Sequence, residues 1–296
     1  MPELPEIETI RRDLERSLLG GRVRDLTVYD RRLFTESAET HLRKVLLGQI
    51  WSAIIRKGKY LLVRLANDWT IVFHLRMTGQ LVLEEPNHPQ EPCRLRLHFD
   101  TRTSSPAVVS GGSMDSLLMD PGFRPAGVTT LAFRDQRRFG EVTLVRPGEE
   151  LASLAKLGPD PTNGLSCQDF VQLLRGKTTR IKPLLMDQRV LAGVGNIYAQ
   201  EALFKAAIRP NRPACRLSRA EAERLYESLR ETLLSAIEHR GSSSRNYRDA
   251  YGKTGTAQTL HRVYRKGGQP CPRCQNVLRS TRVGGRGTVY CSTCQR

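Results

Sequence analysis

The four cysteines near the end of the chain place the strongest constraint on its fold. They form two Cys-x-x-Cys pairs, Cys271 with Cys274 and Cys291 with Cys294, and sixteen residues separate the two pairs. Pairs at this separation are typical of a tetrahedral zinc site with four thiolate ligands. Because protein ligands fill all four positions, the pattern predicts one structural Zn2+ and not a catalytic metal.

The segment between the two cysteine pairs reads as a β-hairpin. Residues 281–290 alternate around a Gly-Gly turn, and Arg282 and Arg286 lie near that turn. An arginine on a hairpin held by zinc is well placed to bind a phosphate or enter a groove of DNA. Cys93, Cys167 and Cys215 are isolated, and this distribution favours a reducing compartment with one metal site over a disulfide framework.

Positive charge is concentrated in the same part of the chain. The net charge is +17, and residues 240–296 contain twelve Lys and Arg but one acid, Asp249. That segment therefore carries +11 of the total. A charge of this size favours a polyanionic partner, and its binding would depend strongly on salt. A solvated basic tail is the alternative, but the cysteines and glycines indicate a folded unit.

The first half of the chain reads as a β-rich unit that follows one helix. Apolar residues recur at helical spacing from Pro5 to Leu19, and the Gly20-Gly21 pair ends that run. Many short strands separated by turn residues predict a sandwich or barrel. The predicted strands are Val23–Tyr29, Ile50–Lys57, Tyr60–Leu65, Thr70–Leu75, Gln80–Leu83, Arg94–Phe99, Thr129–Arg134 and Glu141–Val145.

The second half is predicted to be helical. Pro147-Gly148 marks a linker, and the 296 residues favour about two domains. Helices are predicted at Phe170–Leu174, Ile181–Asp187, Ile197–Ala207 and Arg219–Glu238, the last after the N-cap Ser218. We therefore predict three domains: a β-rich domain at 1–148, a helical domain at 149–259 and a zinc ribbon at 260–296. The class is therefore α+β multidomain.

The first six residues carry a possible nucleophile. Pro2 is a small penultimate residue, so removal of Met1 would leave a terminal secondary amine. The pKa of an α-amino group is roughly 7.7–8.0, so part of it is unprotonated near neutral pH and can form an iminium with an electrophilic carbon. Glu3 and Glu6 are close enough to move protons. A proline and two acids that simply open a helix are the alternative.

Four turns complete the set of candidate motifs. The glycine turn 191–198 opens a helix, with Asn196 expected at its N-cap. Residues 135–140 offer Arg137 and Phe139, residues 74–79 offer Met77, and residues 56–59 offer cations. An aromatic or apolar wedge with cations could fill a gap left in a base stack. Taken alone, the glycine turn is more often an ordinary capped turn, and each of the other three is more often an ordinary hairpin.

Together these motifs resemble the bacterial formamidopyrimidine-DNA glycosylase family, which repairs oxidised purines in DNA. The resemblance runs over nearly the whole chain and rests on six motifs in order. They are PELPE at 2–6, KGKYLL at 57–62, HLRMTG at 74–79, RRFG at 137–140, LAGVGNIYAQE at 191–201 and the cysteine pairs at 271–294. The related endonuclease VIII branch shares the N-terminal proline-glutamate, the glycine-asparagine turn and the cysteine pairs. It does not usually show the HLRMTG and RRFG turns.

The resemblance implies a fold and an activity. The fold is an N-terminal β-sandwich with flanking helices, a helix–two-turns–helix domain and a C-terminal zinc ribbon, which grip DNA across a cleft. The activity is that of a bifunctional glycosylase and abasic-site lyase, which removes 8-oxoguanine and formamidopyrimidines through a proline Schiff base and β,δ-elimination. The alternatives are an endonuclease VIII-like enzyme for oxidised pyrimidines and a non-catalytic zinc-ribbon DNA-binding protein.

Roles for individual residues also follow from the resemblance. Pro2 is implied as the nucleophile on C1′ of the deoxyribose, with Glu3 as acid/base and Glu6 in support, while Lys59 contacts the phosphate or the damaged nucleotide. The implied DNA contacts are Met77, Arg137, Phe139, Asn196, Arg286, Arg245 and Tyr247. Arg245, Tyr247 and Tyr251 belong to a loop, residues 241–258, that would lie over the damaged base, and Glu201 is expected to help in reading that base.

The chain departs from the family pattern at two places. Gln136 stands where the family usually has proline, and the loss of that proline is expected to loosen the wedge turn without abolishing the chemistry. Residues 101–127 have loop composition and form an insertion of atypical length. No run approaches the length of a membrane span, and no signal region is evident. We expect a cytoplasmic, monomeric protein whose partner is double-stranded DNA with oxidised bases or abasic sites.

Overall fold

The computed structural model describes residues 1–33, 39–84, 92–101, 127–243 and 246–296. The chain begins with helix α1 (Leu4–Leu18), whose apolar residues Ile7, Ile10, Leu14 and Leu18 are all buried. The Glu3 backbone N–H donates to Glu6 Oε2 at 2.8 Å, so the helix start is held by one of the carboxylates of the N-terminal motif. Most of the predicted insertion, residues 102–126, lies outside the described residues.

Two four-stranded antiparallel sheets follow. The first contains β1 (Arg22–Val28), β6 (Leu95–Thr101), β7 (Gly127–Asp135) and β5 (Gly79–Glu84), in that order across the sheet. The second contains β2 (Trp51–Lys57), β3 (Tyr60–Leu65), β4 (Thr70–His74) and β8 (Glu141–Val145), also in spatial order. Helix α2 (Glu39–Leu46) packs beside β1.

The two sheets pack face to face around one apolar core. Trp51 of the second sheet meets Phe99 of the first edge-on, with ring centroids 4.8 Å apart, and Phe73 meets Phe133 at 6.2 Å. In β6, Leu95, Leu97 and Phe99 point inward, as the period-2 alternation of the sequence predicts. The predicted β-sandwich is thereby confirmed.

The second half of the described chain is helical. It contains α3 (Ala152–Ala155), α4 (Cys167–Leu174), α5 (Ile181–Met186), α6 (Asn196–Lys205) and α7 (Arg219–Glu238). The bounds of α7 match the prediction because Ser218 and Glu221 form the expected capping box, with Glu221 N–H donating to Ser218 Oγ at 3.2 Å. Helix α4 begins three residues earlier than predicted because Ser166 caps it.

The C-terminal segment forms the predicted hairpin, β9 (Arg279–Val283) and β10 (Arg286–Tyr290). Both glycines of its turn, Gly284 and Gly285, have positive φ values, as a two-residue hairpin turn requires. The hairpin lies against α6, where the Val289 N–H donates to Gln200 Oε1 at 2.7 Å. The N-terminus of the chain reaches the same helical unit, because Leu4 N–H donates to the Gly193 carbonyl at 3.0 Å.

Candidate active site

The N-terminal motif lies in the interior, between the sandwich and the helical unit. Pro2 is buried whereas Met1 is half exposed. The side chains of Glu3 and Glu6 are 4% and 1% exposed. Carboxylates are rarely buried unless they have partners, so the groups that surround these two define the site.

The Glu3 carboxylate lies at the N-terminus of α6. The backbone N–H groups of Ile197 and Tyr198 donate to its two oxygens at 3.1 and 3.4 Å. These N–H groups and the helix dipole stabilise a negative charge at this position. Gly195 makes the approach possible, because a Cβ at that residue would lie 2.2 Å from Glu3 Cδ.

The glycine turn is therefore a point of close approach, and the group that approaches is the carboxylate of Glu3. One detail was wrong. Asn196 is the first residue of the helix and Gly195 occupies the N-cap position. Asn196 Oδ1 is buried and has no hydrogen-bond partner among the described residues. This oxygen can only accept a hydrogen bond.

Glu6 is held by three donors. Its Oε2 accepts from Glu3 N–H, while Oε1 accepts from the Tyr198 hydroxyl and, at 2.7 Å, from the Ser242 N–H. Burial, together with the nearby charge of Glu3, raises the pKa of Glu6. Glu6 is therefore suited to hold a proton. No local sequence pattern pointed to Tyr198 or Ser242 as its partners, since both come from distant segments.

Cations from two elements face this carboxylate pair. Lys59, in the turn between β2 and β3, is 7% exposed. Burial lowers its pKa, and the charges of Glu3 and Glu6 oppose that shift. Arg286 at the start of β10 is exposed and close enough to lower the pKa of Lys59 as well. The structure thus brings Lys59 and Arg286 close to the N-terminal acids, and their contacts with DNA stay predictions.

A second lysine in the site was missed by the sequence analysis. Lys182 of α5 is fully buried, and its Nζ donates to Thr288 Oγ1 at 2.7 Å. Burial lowers its pKa to about 8, with Glu3 opposing and Arg286 adding to the shift. The sequence offered one signal of this buried lysine. It lies between Ile181 and the apolar Leu184-Leu185 pair, on a helix whose neighbouring side chains are expected to be buried.

The three proposed wedge side chains are in contact with one another. Arg137 lies over the Phe139 ring, with its guanidinium carbon 4.7 Å from the ring centroid, and its Nη1 is 3.6 Å from Met77 Sδ. Met77 and Phe139 are 44% and 50% exposed. Two turns that are remote in sequence thus present one exposed apolar and cationic group, a feature that is unusual unless it meets a partner.

The wedge turn is fixed without the proline that Gln136 replaces. The carboxylate of Asp135 accepts from Gly140 N–H at 2.6 Å and from the Thr78 hydroxyl. Arg94 donates to the Gly140 carbonyl at 2.7 Å. Gln136 itself is exposed. Since buried hydrogen bonds define the turn, the expected loosening at Gln136 has little structural basis.

Of three residues assigned to the DNA or to the damaged base, two have described contacts, and these are with protein. Arg245 lies outside the described residues. Tyr247 is buried with the sandwich core, and its hydroxyl donates to the Glu6 carbonyl at 3.4 Å, so its visible contacts are with protein. The carboxylate of Glu201 accepts from the N–H groups of residues 262–264 and anchors the segment that leads to the hairpin, while its expected role in reading the base stays a prediction.

The four C-terminal cysteines form a site that fits Zn2+. Their Sγ atoms all lie within 4.8 Å of one another, with Cys274 and Cys291 3.5 Å apart and Cys271 and Cys294 3.9 Å apart. A tetrahedron with Zn–S bonds of about 2.3 Å has S–S edges of roughly 3.8 Å. The N–H groups of Arg273 and Cys294 donate to the thiolates of Cys271 and Cys291. Zinc here is structural, because no ligand position is left open.

Three family models match successive parts of the chain. The formamidopyrimidine-DNA glycosylase N-terminal domain matches residues 1–142, and the H2TH domain of the same enzymes matches residues 157–248. The zinc finger found in FPG and IleRS matches residues 268–296. Among the described residues, we find no helix that is both long and apolar enough to cross a bilayer.

Curated relatives and solved structures match over the full length. The formamidopyrimidine-DNA glycosylase of Chloroflexus aurantiacus is 38% identical over 298 residues, covering all of this chain and 98% of its own. A complex of Lactococcus lactis Fpg with DNA that contains an abasic site is 32% identical, with a TM-score of 0.83 and 99% of both chains covered. MutM from Thermus thermophilus is 37% identical, with a TM-score of 0.80, over 99% of this chain and 98% of its own.

Proposed function

This chain belongs to the formamidopyrimidine-DNA glycosylase family, and we propose that it removes oxidised purines from duplex DNA through the amine of Pro2. The observation that carries the proposal is the burial of Pro2 and Glu3 where the N-terminus of α6 and the cations Lys59 and Arg286 converge. Such a site suits a phosphodiester next to a reacting sugar.

The chemistry begins with extrusion of the damaged base, which costs on the order of a few kcal/mol. The wedge formed by Met77, Arg137 and Phe139 fills the vacated space. The Pro2 nitrogen then attacks C1′, and the base leaves with the electron pair of the glycosidic bond and takes up a proton. Loss of the proton from Pro2 and opening of the sugar ring give an iminium. Glu3 serves as the acid and base for these transfers.

The lyase steps follow from the iminium, which acidifies the hydrogen on C2′. Removal of that proton expels the 3′ phosphate by β-elimination, and a second elimination expels the 5′ phosphate. Lys59, Lys182 and Arg286 offset the negative charge on these phosphates. Glu6, whose pKa burial raises, supports Glu3 and is held in place by the Tyr198 hydroxyl. Asn196, the first residue of α6, holds a flanking phosphate through its side-chain N–H groups.

The four cysteines hold Zn2+, which fixes the hairpin that presents Arg286. The DNA partner is a duplex with oxidised bases or abasic sites, bound by a monomer in the cytoplasm. The domain limits 1–148, 149–259 and 260–296 remain predictions.

Two assays test the function together. Borohydride reduction during reaction with 8-oxoguanine duplex should trap a covalent adduct, and mass spectrometry should place it on residue 2 of the protein without Met1. Pro2→Gly, or protein that retains Met1, should lower the trapped yield at least about tenfold. An adduct on an internal lysine refutes the Pro2 mechanism, and the absence of any adduct favours the non-catalytic alternative.

Paired excision assays on 8-oxoguanine and on an oxidised pyrimidine decide the substrate class. We expect faster release of 8-oxoguanine. Faster release of the pyrimidine would instead support the endonuclease VIII-like alternative.

A further inference from the structure

A buried charge cluster joins the 241–258 loop to the first helix. Arg240, the second residue after α7, donates through Nη2 to Asp13 Oδ2 of α1 and to Asp249 Oδ2 of the loop, both at 2.6 Å, and through Nε to Asp249 Oδ2 at 2.9 Å. The side chains of Asp13 and Asp249 are 1% and 0% exposed. Two buried acids from different parts of the fold thus depend on one guanidinium.

The backbone conformation at residue 240 indicates that an arginine stands there because of the contacts that its side chain makes. Arg240 has a φ of 58°, in the left-handed region that a helix end ordinarily gives to glycine. A non-glycine residue in this region is strained unless its surroundings compensate. The two carboxylates supply that compensation.

The cluster also shapes the loop itself. Asp249 Oδ1 accepts from the N–H groups of Tyr251 and Lys253 at 3.0 and 2.8 Å, which closes a tight turn. At the next residue, Ala250 N–H donates to Asp13 Oδ2 at 3.3 Å, and its carbonyl accepts from Leu83 N–H of β5 at 2.7 Å. One arm of the loop is therefore fastened to both α1 and the edge of the sandwich.

The same loop touches the active site. Ser242 N–H donates to Glu6 Oε1, and the Tyr247 hydroxyl donates to the Glu6 carbonyl. Glu6 and Asp13 are seven residues apart on α1, which places them on one face of that helix, two turns from each other. The loop is thus attached to one helix at two points, at Glu6 and at the charge cluster.

We propose that Arg240, with Asp13 and Asp249, is a positioning residue that fixes residues 249–253 against α1 and thereby aligns this arm of the loop with the damaged base. The inference rests on the proposed function, in which this loop lies over that base. Arg240 takes no part in the chemistry at Pro2. Its loss should therefore slow reactions that depend on the base and spare reactions on a sugar that has already lost its base.

Arg240→Gly is the sharpest variant, because glycine relaxes the backbone while it removes the guanidinium. We expect single-turnover excision of 8-oxoguanine to fall about tenfold, as displacement of a substrate-positioning group does. Strand cleavage at a preformed abasic site should stay within about twofold of wild type. In free protein, the amides of Ala250, Tyr251 and Lys253 should exchange with solvent at least about tenfold faster.

Arg43→Ala is the matched control. Arg43 also bridges two carboxylates, those of Asp25 and Glu39, and its side chain is 38% exposed, against 39% for Arg240. Arg43→Ala should change neither the excision of 8-oxoguanine, nor the cleavage at an abasic site, nor the amide exchange of the loop. Asp13→Asn leaves an Arg240–Asp249 pair of zero net charge, so it tests the cluster with less risk to folding, and it should give the same pattern with a smaller excision loss.

The inference is overturned if excision and abasic-site cleavage fall together, if neither falls, or if loop exchange is unchanged in both Arg240→Gly and Asp13→Asn. If the wild-type protein itself cleaves neither DNA, the proposed function fails. The exchange measurement then still decides whether the cluster fixes the loop.

Discussion

At the scale of single residues, the site depends on how closely Glu3 approaches the start of α6. The carboxylate occupies the space where residue 195 would carry a side chain, and it accepts two backbone N–H groups there. A catalytic carboxylate held by fixed backbone donors needs no reorganisation when charge changes during the reaction. The glycine is therefore as much a part of the site as the acid.

Gly195→Ala should move Glu3, since the new Cβ would lie 2.2 Å from its Cδ. A displacement of about 1 Å can cost about 100-fold in rate, so we expect at least this loss in both base excision and abasic-site cleavage. Single-turnover rates on the two substrates measure it. Gly287→Ala is the control, because a Cβ there meets no atom within 4 Å. A Gly195→Ala rate close to that of wild type on both substrates would contradict this account of Glu3.

At the scale of elements, α6 connects the acid to the zinc site. Its first turn holds Glu3, and its last turn is held by Arg273 of the zinc ribbon, which donates to the carbonyls of Phe204 and Lys205 at 2.9 Å and lies over the Phe204 ring. Midway along it, Gln200 pairs with the backbone of β10. The hairpin and the helix therefore form one structural unit.

Removal of zinc should release the hairpin while it leaves α7 folded. Structural zinc supplies much of the folding free energy of such small modules. After chelation, we expect fast hydrogen exchange at Arg279–Tyr290, slow exchange in α7, and DNA affinity lower by at least about tenfold. Cys291→Ser should reproduce these effects. Cys215→Ser, at an exposed cysteine outside the zinc site, should not. Unchanged affinity in zinc-free protein would argue against a role of the hairpin in DNA binding.

At the scale of the whole molecule, the parts of the fold are joined by buried polar contacts across their boundaries. Arg56 of β2 donates to Glu8 of α1 and to Asp160 of the helical half, and its side chain is 7% exposed. The surplus positive charge, by contrast, is concentrated in the last fifth of the chain. Internal pairs fix the shape, and the surplus cations remain available for a polyanion.

The salt dependence of DNA binding should depend on this distribution of positive charge. Each neutralised phosphate contributes about 0.9 to the slope of log affinity against log salt. Arg286→Gln should therefore reduce the slope by about one. Arg219→Gln, whose parent side chain is paired with Glu223, should leave the slope unchanged. Fluorescence anisotropy across a salt series measures both. Equal slopes for Arg286→Gln and wild type would remove Arg286 from the phosphate contacts.

Features that depend on local pattern could be predicted before any coordinates were known. Alternation with a period of two indicated the strands of both sheets, and Ser218 with Glu221 indicated the start of α7. The spacing of the four cysteines indicated the zinc site. Each of these signals is contained within a short window of the chain, where backbone geometry and side-chain chemistry are tied to neighbouring positions.

Which distant groups meet became known only from the folded chain. Glu3 accepts from an N–H 194 residues away, and the Asp13–Arg240–Asp249 cluster has no local pattern that marks it. The apolar neighbours of Lys182 hinted at its burial, but they did not identify Thr288 as its partner. Glu201 is a similar case, because the motif that contains it gave no sign that its carboxylate anchors the segment leading to the hairpin. Partners of buried charges are set by packing across the whole fold, since any buried carboxylate must find a donor and many segments could supply one.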